Sequence, residues 1–143
     1  MQLTLYSDYS LRVLIYLSLR RDEIATITEI SDAYGISRNH LVKVVHNLAL
    51  QGFIHTSRGK FGGMWLSRAP DRINVGDVVR HTEPNFNLVE CFDPDTNTCP
   101  INGLCSLKTV LTRANRQFLK ELDKYTLADL TPNRNKLKAV LEQ

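Results

Sequence analysis

Apolar positions along this chain recur mostly at helical spacing, with one short stretch of strand-like character in the middle. Leu3 and Leu5 lead into Ser7 and Asp8, which read as the N-cap of a helix running to about Leu19. Leu11, Leu14, Ile15 and Leu17 give that helix its apolar side. Thr26-Ile-Thr-Glu29 has the spacing of a capping box, with Thr28 an equally good cap, and opens a short helix that ends near Gly35. Ser37 caps the next helix, which runs to about Gln51 and stops at Gly52. Its Leu41, Val44, Val45 and Leu48 fall at i, i+3, i+4 and i+7. Two helices joined by a short turn containing glycine form a helix-turn-helix.

Phe53–Arg58 and Met64–Ser67 then read as two strands around the glycine-rich tip 59–63, which makes a β-hairpin wing. Ala69-Pro70 breaks the chain, and Ile73–Arg80 predicts a short helix beside the wing before Glu83-Pro84. The longest helical pattern runs from about Cys105 to Tyr125. Leu104, Leu107, Leu111, Ala114, Phe118 and Tyr125 are spaced three and four apart, with Leu122 displaced by one. A seam of that length predicts a partner helix, most simply the same helix of a second subunit. Thr126 caps a last turn over 127–130, and Thr131-Pro132 starts a basic tail expected to be loosely held. The expected fold is mainly α with a small β-hairpin wing: a winged helix-turn-helix followed by a long C-terminal dimerisation helix. A DNA-binding part over 1–82, a cysteine-rich loop over 83–105 and a dimerisation helix and tail over 106–143 are the expected divisions.

Charge sharpens this picture. The net charge is only +3, yet no Asp or Glu lies between Asp32 and Asp71, where Arg38, Lys43, Arg58, Lys60 and Arg68 all fall. Residues 73–143 carry nine basic and nine acidic side chains and are formally neutral. A basic window beside a balanced one is the footprint of a polyanion-binding surface. The polar face of the second helix-turn-helix helix bears Arg38, Asn39, His40, Lys43, His46 and Asn47, donors suited to phosphates and to base edges in the major groove of double-stranded operator DNA. Arg58 and Lys60 on the wing are placed to reach phosphates or the minor groove. The glycine-rich tip joins strand to strand and opens no helix, so neither phosphate-loop fingerprint applies.

With 43% hydrophobic and 23% charged residues in 143, the composition is that of an ordinary globular domain. The amino terminus lacks the basic and apolar regions of a signal peptide, and no apolar run approaches the roughly 18 residues of a membrane span. An odd cysteine count without a secretory signal points to a reducing compartment, so the expected location is cytoplasmic. No catalytic motif is matched, and no His lies within the cysteine loop, so no enzyme is expected.

All three cysteines, Cys91, Cys99 and Cys105, share one loop with the spacing C-x7-C-x5-C and with Pro, Gly, Asn and Asp between them. Three thiols presented by one turn-rich segment suit a soft metal or an iron–sulfur cluster. Reduced structural thiols and a zinc-stabilised winged-helix adaptor are the other readings.

Three stretches make the chain recognisable: Leu3-Thr-Leu-Tyr-Ser-Asp8-Tyr-Ser-Leu-Arg12, Gly35-Ile-Ser-Arg-Asn-His-Leu-Val-Lys-Val44 and Arg58-Gly-Lys-Phe-Gly-Gly-Met-Trp-Leu66. With the three cysteines they resemble the dimeric winged-helix iron–sulfur transcriptional regulators over essentially the whole length. Cys105-Ser-Leu-Lys108 and Phe118–Leu130 look most like the nitric-oxide-sensing repressors of that group. The resemblance implies a homodimer whose Cys91, Cys99 and Cys105 bind the cluster. In one branch a His three residues after the last cysteine completes a [2Fe-2S] site, but Lys108 stands there. In the nitric-oxide-sensing branch an Asp near the amino terminus of the other subunit completes a [4Fe-4S] site, and Asp8 matches that position, so [4Fe-4S] is favoured over [2Fe-2S]. The implied function is a repressor that holds its operator with the cluster intact and releases it when nitric oxide nitrosylates the cluster. A regulator of the same fold sensing iron or redox state is the alternative.

Overall fold

The computed structural model describes residues 1–21 and 23–143. Helix α1 (Leu5–Leu19) lies at the centre and buries Val13, Leu14, Tyr16, Leu17 and Leu19. It is followed by α2 (Ile27–Tyr34), α3 (Arg38–Leu50), the strands β1 (Ile54–Ser57) and β2 (Gly63–Leu66), α4 (Val75–Thr82), α5 (Ser106–Leu122) and α6 (Arg134–Leu141). Helices α3, α4 and α6 and strand β2 all pack on α1, and α2 packs on α3. The result is a winged helix-turn-helix with a long helix behind it.

Most helix starts follow the local signals. Thr26 accepts from the Glu29 amide while the Glu29 carboxylate accepts from the Thr26 amide, so the reciprocal box forms on Thr26 and not on Thr28. Ser37 caps α3, and Gly35 ends α2 in the left-handed conformation at φ 65°. The start of α1 is different. Its cap is Thr4, whose Oγ1 accepts from the Ser7 amide at 3.2 Å, so neither Ser7 nor Asp8 caps the helix. The reason lies far along the chain: the Glu83 carboxylate accepts from both the amide and the hydroxyl of Thr4, at 2.7 and 3.0 Å, and anchors the cap residue. Ser7 is instead buried, and Asp8 is turned to Arg12 one turn on, with an Nη2–Oδ2 distance of 2.8 Å.

The first strand of the wing is shorter than its apolar pattern implies, and the second is shifted by one residue. Phe53 precedes β1 as a core residue, and the antiparallel register runs from Ile54↔Leu66 to Ser57↔Gly63. Ala25 bridges Met64 from the other edge, with both backbone bonds made, so the hairpin is tied to the chain before α2. Gly63 is required by that closeness, because a Cβ there would overlap the Ala25 carbonyl and the Ile24 side chain.

The long helix joins the head at one end. After α5 the chain returns to pair with the segment before α4: the Leu127 amide donates to the Ile73 carbonyl at 2.8 Å, and Leu127 enters the core. Arg80 of α4 forks onto Asp123 with distances of 2.6 and 2.7 Å, and that guanidinium holds the Asp123 carboxyl below the usual carboxylate range.

The tail departs from expectation. Residues 134–141 form α6, and Leu141 packs on the core. Arg134 donates through Nε and Nη2 to the Leu19 carbonyl at 3.1 and 2.7 Å. The last turn of α1 carries no basic side chain of its own, and its unpaired carbonyl is served by this distant arginine. Lys138 and Glu142 add ion pairs with Glu23 and Arg20. Among the described residues no helix is long and apolar enough to cross a membrane.

Candidate DNA interface and cysteine loop

Helix α3 divides as its periodicity predicts: Leu41, Val44, Val45 and Leu48 are buried, while Arg38, Asn39, His40, Lys43 and His46 are exposed. At the usual rise its 13 residues span about 20 Å, enough for the first turns to enter a major groove. His40 is held by its cap, with Nδ1 3.0 Å from Ser37 Oγ, and its ring lies 6.0 Å from that of Tyr9. Asn47 is half-buried against Tyr6, less free than the other five. A hollow of about 220 Å³ opens between α1 and α3, lined by Leu5, Tyr6, Tyr9, His40, Lys43 and Val44. The first turns of α1 therefore share the surface with α3. The pairing of Tyr6 and Tyr9 at i, i+3 carried that signal in the chain, masked by the reading of Ser7 and Asp8 as a cap.

On the wing, Arg58 and Lys60 are both exposed, in the five-residue loop between β1 and β2. Gly59 takes φ 103°, a region that favours glycine, and its carbonyl accepts from the Gly62 amide at 3.0 Å. The acid-free window 33–70 thus folds into α3 and the wing.

The loop over 83–105 contributes no buried side chain. It is shaped by its own polar residues: Glu90 accepts from the Thr98 hydroxyl at 2.7 Å and from the Thr98 amide, bonds that hold its carboxyl below the ordinary glutamate range. The Cys99 amide donates to Asn97 Oδ1 at 3.1 Å, and Asn115 of α5 donates to the Phe86 carbonyl at 2.8 Å. Cys91, Cys99 and Cys105 are half-exposed and unbridged. Cys105 is the residue before α5, an end whose unpaired amides favour an anionic ligand. Three free thiols on one loop, with the nearby Glu90 carboxylate already engaged, fit a thiophilic iron–sulfur centre in kind and number. Among the described residues, however, no three His, Cys, Asp or Glu side chains are grouped to hold a metal, so the three thiols are not gathered into one site here. Lys108, where a histidine ligand would stand, donates to Asn102 Oδ1 at 2.8 Å and offers no lone pair. Asp8 lies on α1 with its side chain 40% exposed and paired to Arg12.

Helix α3, the wing and the basic window together define the winged helix-turn-helix class of fold, with a surface suited to DNA. A profile of the Rrf2 family, described as an iron-dependent transcriptional regulator, matches residues 3–133, and the chain belongs to that family. It is 47% identical over 142 residues to the HTH-type transcriptional regulator NsrR of Bacillus licheniformis, covering 99% of each chain. To the NsrR of Bacillus subtilis it is 48% identical over 143 residues, covering 99% of this chain and 98% of that one. Among solved structures, a transcriptional regulator from Listeria innocua superposes with a TM-score of 0.75 at 26% identity, over 93% of this chain and 88% of its own. CymR, the global cysteine regulator of B. subtilis, gives a TM-score of 0.73 at 24% identity over 91% and 95%, a likeness of fold alone.

Proposed function

We propose that this regulator represses transcription as a homodimer that grips operator DNA while an iron–sulfur cluster is bound, and lets go when nitric oxide reacts with that cluster. The observation that carries this reading is the Glu83–Thr4 contact. The cysteine loop starts at Glu83, and Glu83 fixes the cap of α1, the helix on which α3 is packed. Order in the loop is thereby tied to the placement of the recognition helix. Cys91, Cys99 and Cys105 are the proposed cluster ligands, and Asp8 of the partner subunit the fourth, which requires Asp8 to leave Arg12. The 47–48% identity to NsrR regulators supports the same assignment, and Lys108 weighs against a histidine-completed [2Fe-2S] site and so for [4Fe-4S]. A bound cluster supplies a reactivity toward nitric oxide that these side chains lack.

The second subunit is proposed to cover α5, a 17-residue helix without one buried side chain, on which Leu107 and Val110 are 60% and 59% exposed. Two α3 helices then address half-sites about 34–36 Å apart, so a small movement of α1 is enough to spoil the match.

Protein purified without air is expected to be brown, to contain iron and sulfide, and to bind duplexes enriched from a random pool more tightly than after nitric oxide treatment. Equal affinity of the colourless and loaded proteins overturns the proposal. The proposed DNA contacts are Arg38, Asn39, His40, Lys43, His46, Asn47, Arg58 and Lys60. Lys43→Ala is expected to weaken binding across sequences and to reduce the slope of log affinity against log salt by about one unit. An unchanged slope in a salt titration removes Lys43 from the phosphate contacts.

A further inference from the structure

The hairpin tip carries a side chain that neither the core nor the basic surface accounts for. Phe61 stands between Lys60 and the pair Gly62-Gly63 and is 86% exposed. Its position is set by a tight loop: Gly59 is left-handed, the Gly62 amide closes onto the Gly59 carbonyl, and a Cβ at Gly62 would overlap the Ser57 and Arg58 backbone. The Lys60 ammonium lies 5.7 Å from the ring centroid, with Arg58 in the same loop. An apolar ring held in water at the end of a short lever, with two cations within three residues before it, is built to leave water when the cations meet phosphate.

We propose that Phe61 is an apolar wedge that enters the minor groove of duplex DNA beside the site read by α3, partly unstacking one base step and bending the duplex. The inference rests on the reading of this surface as a DNA interface. The chemistry of the tip favours DNA over a protein partner: the window 33–70 contains no acid, so an acidic polymer is its electrostatic complement. The minor groove is about 6 Å wide, narrow enough for the edge of a phenyl ring to touch sugars on both sides, and inserted apolar side chains kink duplexes by about 20–90°. Arg58 and Lys60 then hold the flanking phosphates while Phe61 contributes no charge. Wedge and cations are therefore separable by salt.

The test uses 30-base-pair duplexes enriched from a random pool by the wild-type protein, carrying 2-aminopurine at successive steps and a fluorophore pair at the ends. Phe61→Ala is expected to bind about tenfold more weakly, the scale of one lost base-pair contact, with its salt slope unchanged. It is also expected to lose both the 2-aminopurine signal and the bend seen with wild type, at an unaltered melting temperature. Phe61→Leu, still apolar, is expected to keep most of the affinity and bend. A Phe61→Ala protein with wild-type affinity and bend overturns the wedge, and so does a wild-type complex that is straight and fully stacked. In either case DNA binding itself stands, on the salt dependence of the wild-type protein. A change of oligomeric state in Phe61→Ala without DNA assigns the ring to a protein contact and overturns the proposal. Failure of the wild type to enrich any duplex overturns the wedge and the DNA interface together.

Discussion

Cys99→Ala is expected to yield a folded protein that carries no iron or sulfide above background and binds enriched duplexes no better than the cluster-free wild type. The two halves of this expectation rest on different observations. The fold survives because Cys99 sits in a loop without a buried side chain, where truncation costs about 0.5 kcal/mol or less. The hydrogen bonds that shape the loop, from Thr98 to Glu90 and from the Cys99 amide to Asn97, do not use the thiol. The cluster is lost because only three thiols exist in the chain, and Cys99 is the middle one of the proposed set. Iron and sulfide assays on anaerobically prepared protein, with circular dichroism for the fold, check both halves. A full complement of iron and sulfide in Cys99→Ala removes this residue from the ligands.

The second large effect is on stability. Phe53→Ala is expected to cost about 3–5 kcal/mol, the usual range for deleting a buried aromatic side chain. That is a large share of a total of about 5–15 kcal/mol for a domain. Phe53 is 1% exposed and joins three parts of the head. Its amide donates to the Leu48 carbonyl at the end of α3, and its carbonyl accepts from Ser67 beyond β2. Its ring meets that of His81 on α4 edge-on, with centroids 5.6 Å apart, while the Arg68 guanidinium lies 5.4 Å from its centre. Removing the ring leaves a cavity where recognition helix, wing and α4 meet. DNA binding should therefore fall along with the urea midpoint. Phe53→Leu, which refills part of the space, is expected to recover most of the loss, and it keeps the comparison measurable if the alanine variant is largely unfolded. A shift below about 1 kcal/mol for Phe53→Ala would show that the site collapses without strain.

Much of the head was legible because its signals are local. Ser37 and Thr26 act on amides three residues away, and the apolar residues of α3 repeat within two turns. The hairpin announced itself through Gly59, Gly62 and Gly63, although its first strand came out two residues shorter and its second shifted by one. The proposed site was legible as chemistry but not as geometry. Donor types, their spacing and the missing histidine at Lys108 are all written in the chain. That the three thiols are not gathered into one site in this structure, and that Asp8 is paired with Arg12, are not.

The sequence alone therefore settled that α1 to α5 are helical, where the wing turns, which face of α3 is wet and where positive charge collects, since periodicity and capping act within a few residues; α6 escaped it. Tertiary structure decided what links those parts. Thr4 becomes the cap of α1 through Glu83, 79 positions along the chain, and α6 docks through Arg134 onto the Leu19 carbonyl, 115 positions away. Such pairs leave no periodic trace, because each partner looks like an ordinary surface residue until the chain between them has folded.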